Sequence, residues 1–223
     1  MRPIDICVQI NSFLAQGMAD QFVEAFEHHK TEEINGRTFL GPTSKQQMIS
    51  PGGVSFDEYI ELLDSNSYSA VFFDSALVSI QCYFEGNDIR AHRYLYIPCP
   101  IGTALLRDRP SEISLADWLR YSDPEELKKS FHSSGCLRFD CTVDVPANPE
   151  DPHPISHFTF GASTCRIPVR APLSPSGFLE FLFENYYRRY QERWRTFAPH
   201  LNCGGLGDTL SAEESAKHHL TWA

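Results

Sequence analysis

No run of this sequence stays apolar over the ~18 residues that a membrane helix needs, so no membrane partner is expected. The opening segment Met1-Arg2-Pro3-Ile4-Asp5-Ile6 has neither an apolar core nor a small-residue cleavage site, so no secretory signal is expected and a cytoplasmic protein is predicted. Basic charge is scarce. Lys and Arg number 19 against 29 Asp and Glu, for a net charge of −10. Whole-molecule attraction to nucleic acid is therefore unfavourable, and any phosphate binding must come from a local group of arginines or from a basic partner. Cysteine is present seven times, but no two form a C-x-x-C, which argues against a zinc ribbon or a dithiol redox pair. The odd number, several at apolar strand positions, predicts buried free thiols in a reducing compartment. The glycine-rich phosphate loops G-x-x-x-x-G-K-[ST] and G-x-G-x-x-G are missing, as is the nucleophile elbow G-x-S-x-G.

What is present is ordinary globular material: 42% hydrophobic and 22% charged residues in 223, enough for one sizeable core. Residues 5–29 carry Ile10, Leu14, Phe22, Ala25 and Phe26 at helical spacing, and 30–54 reads as a long loop. Ser55-Phe56-Asp57-Glu58 has the form of a capping box and predicts a short helix through Leu63. Residues 76–97 alternate about the turn Glu85-Gly86-Asn87-Asp88, predicting a hairpin. Its second strand is read with Ile89, Ala91, Arg93, Leu95 and Ile97 inward and His92 and Tyr94 outward. Ser114 and Asp123-Pro124 mark two short helices.

A third strand follows at 137–145, with Arg138 and Asp140 on its polar side, and a fourth at 155–160, with His157 and Thr159 polar and Phe158 and Phe160 inward. A fifth, 165–169, is held to an edge by Pro168. Ser174-Pro175 starts a helix whose Leu179, Leu182, Phe183, Tyr186, Tyr190, Trp194 and Phe197 form one face. The reading is α+β: a mainly antiparallel sheet with helices on one face and an open polar face, in one domain over 1–200, followed by a looser tail over 201–223.

If the third and fourth strands pair antiparallel, Arg138, Asp140, His157 and Thr159 share the open face. Gln81, Tyr83, His92 and Tyr94 would join from the hairpin, Arg166 from the fifth strand, and His153 from the loop above. Arginine offers planar paired donors to phosphate oxygens, histidine transfers a proton near neutral pH, and an aspartate orients the histidine. That set suits cleavage or transfer at a phosphodiester without a cofactor: His157 and His153 as acid and base, Asp140 as orienter, Arg138 with Arg166, Thr159, Gln81, His92 and Tyr94 binding substrate. Each part also has a plain reading. Arg138 and Asp140 make an ordinary strand ion pair, and a half-buried His157 bonds a backbone carbonyl. His153, His157, Asp140 and Asp144 could hold a divalent metal, but no H-E-x-x-H or equivalent spacing supports one. H-x-[ST] matches occur at His157, His219 and His132, but about one is expected by chance in a chain with this many His, Ser and Thr, and a motif this short is weak evidence.

The segments Leu137–Asp140, Asp151–Gly161, Cys165–Val169, Leu173–Phe178 and Tyr186-Tyr187 resemble an uncharacterised bacterial domain family of about this length. Over about 25 residues the chain also resembles TumE-type toxins, which carry an Arg-aromatic-Asp strand, a Pro/His loop and a His-rich strand. Arg138, Phe139 and Asp140, then His153 and His157, match that order, although the closing His-x-His is here His157-Phe158-Thr159. The resemblance implies a small cytosolic effector acting on RNA or nucleotides in a toxin–antitoxin or phage-defence system. The alternative is a binding subunit whose polar face or aromatic helix holds an antitoxin or a larger defence partner.

Overall fold

The computed structural model describes residues 2–42, 54–132, 135–143, 153–161, 165–192 and 207–221. Helix α1 (Pro3–Ala19) opens with proline in its first turn and lays Ile6, Ile10, Phe13 and Leu14 along one buried side. It ends ten residues before the helical spacing does. Phe22, Ala25 and Phe26 belong to the turn after it and to strand β1 (Val23–Phe26). The expected loop over 30–54 is also corrected as far as Pro42. Strands β2 (His29–Ile34) and β3 (Arg37–Pro42) form a hairpin through Asn35-Gly36. Both turn residues have positive φ, 51° and 77°, which this tight mirror-image turn requires and which Asn-Gly tolerates best.

The remaining order is α2 (Phe56–Asp64), β4 (Ala70–Phe72), β5 (Leu77–Glu85), β6 (Asp88–Ile97), α3 (Thr103–Leu106), α4 (Leu115–Tyr121), α5 (Pro124–Ser130), β7 (Leu137–Thr142), β8 (Ser156–Phe160), β9 (Arg166–Pro168), α6 (Pro175–Asn185) and α7 (Ala212–Ser215). Helix α2 starts with both halves of the Ser55–Glu58 capping box in place. The nine strands of the described residues form one antiparallel sheet in the order β1-β4-β5-β6-β7-β8-β9, with β3 beside the far half of β5 and β2 beside β3. The fold is α+β.

One face of the sheet presents Leu40, Phe72, Val78, Ile80, Cys82, Phe84, Tyr94 and Phe139 to α1 and α6. On the opposite face α2, α4 and α5 cover only one end, over Val71, Leu77, Leu95 and Ile97. The polar rows described below lie on the same face, beside that end, and the Phe39–Tyr83 ring pair lies on it too. Phe158 packs against the larger core, but Phe160 is half exposed at the end of its strand rather than inward.

Helix α6 stops at Asn185, short of the predicted stripe. There Tyr187 turns inward, donates to the Asp74 carboxylate at 2.9 Å and meets the Tyr96 hydroxyl at 3.0 Å. Trp194 and Phe197 lie outside the described residues, as do Asp144, Cys203 and the start of the tail. Residues 207–221 run along the sheet edge, where the Leu220 N–H donates to the Pro168 carbonyl and the Arg170 N–H to that of Leu220. Five of the six described cysteines are buried free thiols, and Cys165 is exposed. No helix among the described residues is long and apolar enough to cross a membrane.

Candidate functional site

Strand register builds the site. Residues directly opposite in an antiparallel ladder point to the same face, on strands about 4.8 Å apart. Gln81, Arg93, Asp140, His157 and Pro168 therefore form one row across β5–β9, and Ser79, Leu95, Arg138, Thr159 and Arg166 form the next. His153 joins from the loop before β8, its ring 4.4 Å from that of His157 and nearly perpendicular to it.

Asp140 is the centre. Its Oδ1 accepts from Arg93 Nε at 2.8 Å. Its Oδ2 lies 2.5 Å from Arg138 Nε and 3.5 Å from His157 Nε2. Burial by itself would raise the Asp140 carboxyl pKa. The His157 contact and the positive charges of Arg93 and Arg138 outweigh it and hold the group well below the usual carboxylate range. One carboxylate thus answers two guanidiniums, both through Nε. The local balance is positive in a chain that is otherwise acidic.

The two histidines differ in access. His157 is only 2% exposed, so it faces the carboxylate and not solvent. Its Nδ1 sits 3.2 Å from the Pro154 carbonyl, and His153 Nδ1 sits 3.0 Å from the same oxygen. A carbonyl only accepts, so both rings carry their proton on Nδ1. In the neutral His153 ring Nε2 is then the basic atom, while His157 Nε2 faces the Asp140 carboxylate at 3.5 Å. His153 is on the exposed side. Burial lowers its pKa from the ordinary value, and the charges of His157 and Arg166 act in the same direction. The Thr159 side chain is 3% exposed, and among the described residues its hydroxyl has no hydrogen-bond partner.

Of the residues expected at the site, Arg138, Asp140, His153, His157, Thr159, Arg166 and Gln81 are brought together. His92 and Tyr94 are not, and this corrects their assignment. Phe84 pairs with Ile89 but Tyr83 pairs with Ala91, so Arg90 is an extra residue that reverses the alternation of β6. Beyond that bulge the even positions face the larger core. His92 stacks on Tyr94 at 4.3 Å and accepts the Leu173 N–H, and Tyr94 stacks on Phe178 of α6. Burial pushes the His92 pKa down to about 4. The same reversal brings Arg93 into the site. The signal for it was an arginine on a strand face read as buried. Among the described residues no group of three or more His, Cys, Asp or Glu stands where it could hold a metal ion.

A family model described as an uncharacterized conserved protein (DUF2290) matches residues 19–222, and the chain belongs to that family. The matched span takes in every strand and the whole of the site. No curated protein and no solved structure matches the chain.

Proposed function

We propose that the two polar rows bind phosphate oxygens and that the protein is a metal-independent enzyme cleaving or transferring at a phosphodiester, with RNA or a nucleotide as substrate. The observation that carries this reading is the pair of guanidiniums on the single carboxylate Asp140, beside a solvent-facing imidazole. A solvated sheet face needs no such arrangement, and guanidinium is the group best matched to phosphate. The resemblance to TumE-type toxins supports the same substrate class and a place in a toxin–antitoxin or phage-defence system.

Burial redistributes the roles. His153 is the group that meets substrate, and its lowered pKa keeps Nε2 free to accept a proton at neutral pH. His157 and Asp140 stand behind it and fix Arg93 and Arg138. In RNA cleavage His153 takes the proton of the 2′-hydroxyl. The 2′-oxygen attacks phosphorus as the bond to the 5′-oxygen breaks, giving a 2′,3′-cyclic phosphate and a 5′-oxygen that takes a proton from water.

A binding subunit is the second reading. It is favoured by the close pairing of Asp140 and by the net charge of −10, which opposes approach of nucleic acid. Induced expression in a bacterium separates the two. The enzyme reading expects growth arrest with new RNA ends for the parent chain and neither for His153→Ala, with both proteins equally folded. Identical RNA ends and growth for parent and variant would leave only the binding reading.

A further inference from the structure

The face that carries the polar rows also carries a pair of aromatic rings. Phe39 of β3 stands directly opposite Tyr83 of β5, with ring centroids 5.0 Å apart and an interplanar angle of 48°. Both residues are half-buried, and neither belongs to the two hydrophobic clusters formed by the described residues. Gly41 shapes the pair. A Cβ at that position would come too close to the Phe39 ring, so the ring leans over Gly41 rather than standing off the sheet. A leaning, part-exposed ring turns a π face outward. Its place beside the arginines matters most. Gln81, two residues from Tyr83 on the same face, is directly opposite Arg93. Tyr83 and Arg93 are therefore diagonal neighbours, about 7–8 Å apart, within mutual reach of an aromatic and a long side chain. A base and the phosphate of its own nucleotide are separated by a similar span. The row of Tyr83 continues in Ala91 and Thr142, so no long side chain of that row stands beside the ring. From β3 to β9 this face runs over five strand spacings, about 24 Å, with Arg93, Arg138 and Arg166 along the way. That length exceeds one nucleotide and suits a strand.

We infer that the substrate is single-stranded RNA, with an unpaired base stacked on Phe39 and Tyr83 while the adjoining phosphates lie on Arg93 and Arg138. This rests on the phosphate-binding reading above and goes beyond it by adding a base subsite and excluding the duplex, whose bases have their faces covered. Every base has a π face, so the subsite tolerates any sequence. Stacking also gives a chain of net charge −10 an attraction for RNA that needs no further positive charge.

The test uses a short single-stranded 2′-O-methyl oligoribonucleotide, which binds without being cleaved, and an abasic strand of the same length, which keeps every phosphate. Fluorescence anisotropy at constant salt should show the parent chain binding the base-bearing strand at least about fivefold tighter than the abasic one. The duplex of the same sequence should bind more weakly than the single strand. Phe39→Leu should weaken binding of the base-bearing strand by a similar factor and weaken the abasic strand no further. It should leave the salt dependence unchanged, since no ionic contact is lost. Phe39→Tyr should keep the preference. A cross-strand aromatic pair also steadies a sheet, so base dependence is the readout and not stability. The comparison of the two strands on the parent chain decides the matter even if Phe39→Leu lowers the melting temperature. Equal binding of the base-bearing and abasic strands by the parent overturns the inference, and so does a Phe39→Leu chain that keeps the full preference. Either result, with binding that still falls steeply with salt, leaves the phosphate-binding reading standing. Base-dependent binding by a chain that cleaves no RNA keeps the base subsite and removes the enzyme.

Discussion

Replacing Asp140 by Asn removes the charge while keeping the shape, and the cost follows from what surrounds the carboxylate. Its side chain is 11% exposed, and it is in contact with Arg93, Arg138 and His157. Breaking a buried ion pair by removing one partner costs about 3–5 kcal/mol, because the remaining charge stays buried. Arg93 is 41% exposed and partly screened by water, which places the cost near the lower bound, about 3 kcal/mol. For a chain of this size that is a fall in Tm of roughly 6–12 °C at pH 7. The pH dependence has a definite sign. The Asp140 carboxyl is depressed in the folded protein, so the unfolded chain binds its proton first as the pH falls. The stabilisation is complete above about pH 4 and is lost below it, and the gap between parent and variant should narrow by about 1 kcal/mol at pH 3. Urea unfolding followed by circular dichroism at pH 7, 5 and 3 measures this. Equal stability at pH 7, or a gap unchanged at pH 3, would refute the account of Asp140 as the charge that organises the site.

Two further predictions concern the frame that positions it. His29 and His92 both have pKa values lowered by burial to about 4, so the unfolded chain binds more protons between pH 6.5 and 4 and stability falls as the pH drops through that window. His92→Gln keeps an acceptor for the Leu173 N–H but does not titrate, and should remove on the order of 3 kcal/mol of that loss, read from urea melts at pH 7 and 4. Phe178 is fully buried between Tyr94 and Phe139, and Phe178→Ala should cost about 3–5 kcal/mol in the same assay at pH 7.

Much of the site was legible because strand periodicity is exact. Arg138 and Asp140 two residues apart, and His157 and Thr159 two apart, had to share a face once β7 and β8 paired, and the register set them directly opposite one another. Proline at 168 placed the edge strand correctly at the end of the sheet. The errors have particular causes. One extra residue at Arg90 inverts every later side chain of β6, and apolar alternation continues on both sides of it, so hydrophobicity alone does not reveal the shift. The β2–β3 hairpin is charged and lies toward the sheet edge, so its strands lack an apolar rhythm, and Asn35-Gly36 was its only local signal. The stripe on α6 ends early because Tyr187 is drawn to Asp74, a contact 113 residues away that no local pattern encodes. Burial of His157 depends on its neighbours in three dimensions, and no local pattern in the sequence encodes it.

The central claim is that His153 transfers a proton to or from a substrate held by Arg93 and Arg138. Cleavage of a single-stranded RNA by the purified chain in excess EDTA, compared with His153→Ala of equal thermal stability, tests it most directly. The account predicts RNA cut to 2′,3′-cyclic phosphate ends, with the rate falling about a hundredfold or more in the variant. Equal rates for the two proteins, or no cleavage of any RNA by the parent chain, would contradict it.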